Sequence, residues 1–67
     1  MTFPQRLKQL RIQHNLTQQQ MSERLSMDQS TYSRYENGNT IATIDFILRI
    51  VKEFDVSADW LLGNDKK

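Results

Sequence analysis

Five helix-start signals, each followed by a short apolar stretch at helical spacing, leave this chain little room for anything but helices. Thr2 with Gln5, and Thr17 with Gln20, have the three-residue spacing of reciprocal capping boxes. Asp28, Thr43 and Ser57 are N-cap residue types placed just before further apolar runs. The spacing predicts helices over 3–14, 18–25, 29–36, 44–54 and 58–62. Pro4 suits a first turn, while Asn15, Ser26-Met27 and Asn37-Gly38 read as stops. No alternating run of four or more residues reads as a strand, because the β-branched residues are scattered at helical spacing. The fold class is all-α, a compact domain of five helices.

Apolar periodicity assigns the inward faces. Helix one presents Phe3, Leu7, Leu10, Arg11 and His14 along one side, and helix two presents Met21, Ser22 and Leu25. Tyr32 and Tyr35 face the core from helix three. In helix four the expected stripe is Ile44, Ile47, Leu48, Val51 and Phe54, with Phe46 and Ile50 on its flank.

A chain of 67 residues makes one small domain, and with no cysteine it has neither a disulfide scaffold nor a thiolate metal site. Ordinary apolar packing must hold it together. No apolar run exceeds three residues and the N-terminus has no secretory-signal pattern, so membrane association is not expected and a cytoplasmic location fits. Residues 1–63 are expected to form the domain, with 64–67 a flexible tail or the start of a linker. Nine basic residues oppose eight acidic ones, but residues 1–40 carry five basic against three acidic, a slight basic lean in the first half.

An enzyme is poorly supported. His14 is the single histidine and has no ligand-spaced partner, while Glu23, Asp28, Glu36 and Asp45 read as capping, pairing or solvated groups. His14 itself reads as a helix C-terminal cation or half-buried filler, and neither metal nor cofactor is expected.

The segment TQQQMSERLSMDQSTYSRYENG, with two short helices around a tight turn, has the dimensions of a helix-turn-helix. From Arg6 through Gly63 the chain resembles the Cro/CI-type (XRE-like, lambda repressor-like) family of helix-turn-helix regulators. The strings RLKQLR, LTQQQMSERL, STYSRYENG and VSADWLLG, with the polar turn between the middle two, carry the likeness in order and at the family's spacing.

That resemblance implies double-stranded DNA as the partner. It implies base contacts from Gln29, Ser30, Ser33 and Arg34, whose chemistry suits adenine, guanine or either, with Thr31 assisting. The plainer reading of these positions is a solvated helix face. Phosphate contacts are implied for Thr17 and Gln18 at the start of helix two and for Asn37, Asn39 and Thr40 after helix three. Capping by Thr17 and a simple stop at Asn37-Gly38 are compatible with those roles. Arg11 and Glu36 match the family's internal ion pair, and Arg11 also falls on the apolar stripe of helix one.

Three departures stand out. Ser26 occupies a turn position where the family often has Gly, Tyr32 one it usually fills with Ile or Val, and Asn39-Thr40-Ile41-Ala42 a loop that is often basic. Fewer loop cations predict a smaller phosphate term and modest affinity per monomer.

The function implied is a sequence-specific transcriptional regulator, a repressor binding a palindromic operator as a homodimer with half-sites about 34 Å apart. The alternative is an antitoxin-like module of the same fold that binds a protein partner, a toxin-like protein or an antirepressor, with DNA contact secondary. Phe46, Ile50, Trp60 and Leu62 are the expected apolar surface for a dimer or such a partner.

Overall fold

The local signals place the helices almost residue by residue. The computed structural model describes residues 1–63, and among these the elements are α1 (Phe3–Gln13), α2 (Gln18–Arg24), α3 (Gln29–Asn37), α4 (Ile44–Phe54) and α5 (Ala58–Leu61), with no strand. The tail expected over 64–67 lies outside the described residues.

The caps act largely as the sequence suggests. Gln5 Oε1 accepts from Thr2 N–H at 3.0 Å, and the Thr17–Gln20 box closes with both bonds, at 2.9 and 3.1 Å. Thr43 and Ser57 hydroxyl oxygens accept from Phe46 and Trp60 N–H, each at 3.1 Å. Asp28 sits in the N-cap conformation, but its carboxylate accepts from Ser30 Oγ at 3.4 Å and not from a backbone N–H. The first three helices end alike, on a left-handed residue: Asn15, Ser26 and Gly38, with φ of 57°, 57° and 75°. At each, the next residue's N–H reaches back five residues: Leu16 to Arg11, Met27 to Ser22 and Asn39 to Arg34, at 3.1, 2.9 and 3.0 Å.

Every helix contributes to one core. It comprises Leu7 and Leu10 of α1, Met21 and Leu25 from α2 and its end, Tyr32 of α3, Phe46, Ile50 and Phe54 of α4, and Leu61 of α5. Burying each large apolar side chain contributes roughly 1.5–3 kcal/mol before entropy is counted. Tyr35 is half-buried and stacks on Phe46, ring centroids 3.9 Å apart and planes 14° apart. The His14 ring lies edge-on to Phe54 at 4.8 Å, so the imidazole fills space against the core rim although the residue is exposed overall.

Helix α4 is rotated relative to its expected stripe. Phe46, Ile50 and Phe54 form its buried edge with Ile47 and Val51 half-buried, whereas Ile44 is 76% and Leu48 52% exposed. The cause is tertiary: Tyr35 on one side and Phe3 on the other, the latter edge-on at 6.2 Å, both claim the ring of Phe46. Phe46 and Ile50 are therefore core residues and not a partner surface. Trp60, also expected on that surface, is half-buried with the Arg6 guanidinium 4.7 Å above its ring, and Leu62 remains 47% exposed.

Candidate nucleic-acid interface

The α2–turn–α3 unit is positioned by bonds from both neighbouring helices. Ser22, buried between helices, donates its hydroxyl to Gln19 C=O at 2.7 Å, so its small side chain is satisfied within α2. From α4, Arg49 Nη1 donates to Leu25 C=O at 2.9 Å, filling one of the orphan carbonyls at the end of α2. Sequence spacing gives no hint of this bond, because the partners lie 24 residues apart.

From α1, Arg11 binds Glu36 twice, Nε to Oε2 at 2.7 Å and Nη2 to Oε1 at 3.4 Å, and its Nη1 donates to Leu16 C=O at 2.9 Å. The expected ion pair thus exists and is nearly closed to water, with side chains 14% and 2% exposed. Two further donors converge on the same carboxylate. Gln18 Nε2 donates to Glu36 Oε1 at 3.1 Å, and the Tyr32 hydroxyl donates to Oε2. A carboxylate offers about four lone-pair sites, and here all are taken.

The electrostatics follow from that crowding. Burial pushes the Glu36 carboxyl up, but hydrogen bonds from Arg11, Tyr32 and Gln18 outweigh it and hold the group below the usual carboxylate range. The bond to Glu36 raises Arg11 further, so it stays a cation. Burial, and then the bond to Glu36, pushes the Tyr32 hydroxyl well above an ordinary tyrosine. The phenol that replaces the family's usual aliphatic residue has its ring in the core and its hydroxyl satisfied inside the protein, away from solvent.

With Tyr32 and Glu36 turned inward, α3 leaves Gln29, Ser30, Thr31, Arg34 and Asn37 exposed, and Ser33 half-buried. Arg34 makes no ion pair with any described residue. Asn39 and Thr40 are exposed in the following loop. Thr17 is exposed, but its N–H and hydroxyl oxygen are engaged by Gln20, and Gln18 is held by Glu36. Of the expected base-reading residues, three are thus open to a ligand and Ser33 is partly shielded. Among the described residues no group of acidic, histidine or cysteine side chains could hold a metal ion, and no helix is long and apolar enough to cross a membrane.

Comparison with known proteins agrees with this architecture. The helix-turn-helix family model matches residues 7–61. The chain is 37% identical over 61 residues to the uncharacterized HTH-type transcriptional regulator YobD of Bacillus subtilis, covering 91% of this chain and 54% of that protein. It is 30% identical over 63 residues to the cryptic phage CTXphi transcriptional repressor RstR of Vibrio cholerae, covering 94% of this chain and 56% of the relative. A transcriptional regulator from Listeria innocua superposes with a TM-score of 0.85 at 29% identity, covering 98% of this chain and 62% of that one. This chain therefore spans little more than half the length of the curated relatives named. The proteins it resembles are named as transcriptional regulators. Its strings, its five-helix order and these matches agree: the chain belongs to the Cro/CI-type family of helix-turn-helix DNA-binding domains.

Proposed function

We propose that this chain is the DNA-reading part of a transcriptional repressor that binds a palindromic operator as a homodimer in the cytoplasm. The observation that carries the reading is the division of α3 into two faces. One face, Tyr32 and Glu36, is bonded to the core and to Arg11, while the other presents Gln29, Ser30 and Arg34 on an exposed surface. Laid in the major groove, Gln29 suits the N6 and N7 of adenine, Arg34 the O6 and N7 of guanine, and Ser30 either base. Ser33, half-buried, would reach only a base edge pressed close to the helix. Gln18 and Thr17 on one side, and Asn37, Asn39 and Thr40 on the other, would hold the phosphate edges and fix register without carrying sequence information.

Repression is supported by the likeness to RstR and requires only occupancy of the site. Dimerisation would set half-sites about 34 Å apart. Leu62, together with Ile44 and Leu48 of α4, supplies exposed apolar surface for it. The test is selection of bound duplexes from a random DNA pool, followed by fluorescence anisotropy of the winner at two salt concentrations. An enriched palindrome with a shallow salt slope is expected. No enrichment, with weak and strongly salt-sensitive binding only, would show that α3 does not read sequence.

A further inference from the structure

We propose that Glu36 is a positioning residue for DNA affinity, acting through the side-chain amide of Gln18. The inference rests on the DNA-binding reading above and adds to it a residue that touches no DNA. Glu36 is itself enclosed: its side chain is 2% exposed, and Arg11 and the Tyr32 hydroxyl both donate to it. Its remaining lone pair faces α2, where Gln18 Nε2 donates to Oε1 at 3.1 Å.

A glutamine amide nitrogen carries two hydrogens, so one is spent on Glu36 and the other is left to point away from it. Because the carboxylate accepts only, the Gln18 amide cannot turn its oxygen toward Glu36, and the donor end is the one kept at this corner of the fold. A phosphate oxygen needs a donor there. Glu36 thus selects the amide orientation that suits an anionic backbone and removes in advance the rotamer freedom that Gln18 would otherwise lose on binding. The arrangement also conceals the Glu36 charge, since Arg11 neutralises it and no lone pair is left to repel a phosphate. It spans three elements: Arg11 on α1, Gln18 on α2, and Tyr32 with Glu36 on α3.

The test uses the selected duplex and the full chain. Gln18→Ala and Glu36→Gln should each weaken binding by roughly three- to tenfold, the range for ordering one rotamer-rich side chain. In the Gln18→Ala background Glu36→Gln should have little further effect, because the residue it positions is gone; a general loosening of α3 would instead multiply the two losses. Since Glu36→Gln also removes an ion pair and could unfold the chain, side-chain ¹⁵N relaxation is measured on the unsubstituted protein too. The Gln18 amide should be as ordered as the backbone, in contrast to that of the exposed Gln13. A mobile Gln18 amide, or losses that simply multiply in a chain that binds DNA, overturns the proposal alone. Failure of the unsubstituted protein to bind any duplex overturns the DNA reading, and this proposal with it.

Discussion

At the scale of single residues, two side chains stand where helix-turn-helix relatives commonly have something else, and their costs are opposite in sign. Ser26 ends α2 at φ 57°, in a region that costs a non-glycine residue about 1–2 kcal/mol, whereas Asn15 and Asp55 hold the same geometry with residue types that tolerate it better. Glycine would relieve that strain but add about 0.5–1 kcal/mol of unfolded-state entropy. Ser26→Gly should therefore stabilise the chain by about 0.5–1 kcal/mol, read as a higher urea midpoint at unchanged slope. Tyr32 is the converse. Its hydroxyl donates to a buried carboxylate, a bond of about 1.5–3 kcal/mol, so Tyr32→Phe should lower the unfolding free energy by an amount in that range, read as a lower urea midpoint, while keeping the fold. A Tyr32→Phe midpoint equal to the parent's would mean the hydroxyl contributes nothing at this site.

At the scale of elements, α2 and α3 are short, of seven and nine residues, and cannot persist alone, so their angle depends on what α1 and α4 do to their ends. Arg49 is the contribution of α4, and because its bond to the Leu25 carbonyl is only partly buried, Arg49→Ala should cost about 1 kcal/mol. Amide hydrogen exchange should locate that loss in the turn around Leu25 and Met27; uniform loss of protection across all helices would place the role of Arg49 elsewhere. This contact also shows what spacing could and could not reveal. Helix limits were legible to within a residue or so because caps and left-handed stops are local chemistry, as at Thr17 and Gly38. The Arg11–Glu36 pair was legible only through family resemblance and the odd placement of Arg11 on an apolar stripe. Tyr32 and Glu36 lie four residues apart on one helix, a spacing that puts both side chains on one face without showing that the hydroxyl turns inward to the carboxylate. The buried edge of α4 was legible only in part: Phe54 is buried as its spacing implies, but Ile44 and Leu48 lose the inward side to Phe46 and Ile50. The stacking of Tyr35 on Phe46, a choice made between helices, decides it.

At the scale of the whole molecule, the same carboxylate that joins α3 to α1 and α2 through four hydrogen bonds should also shape the pH range over which the fold is stable. Glu36 is held below the ordinary carboxylate range, first against the opposing push of burial and then by its donors, so in acid the unfolded chain binds a proton that the folded chain refuses. That contribution is complete above the unfolded pKa, about 4.3, and is lost as pH falls through the lower folded value. Tyr32 acts at the other end. Burial raises its hydroxyl, so its contribution is complete below the unfolded pKa, about 10, and is lost as pH rises beyond it, where the unfolded chain ionises and the folded one resists. Unfolding free energy plotted against pH should thus fall on both sides of a broad plateau. Glu36→Gln should flatten the acid limb, and Tyr32→Phe the alkaline limb, each beyond its general loss of stability. Because the two groups share one hydrogen bond, the substitutions should also be strongly non-additive at neutral pH, with the double variant losing less than the two single losses together. Urea titrations of the four proteins at acid, neutral and alkaline pH decide the matter. Parallel limbs in all four, with additive losses, would mean that Glu36 and Tyr32 do not govern the profile and that Glu36 is not the group tying α1, α2 and α3 together.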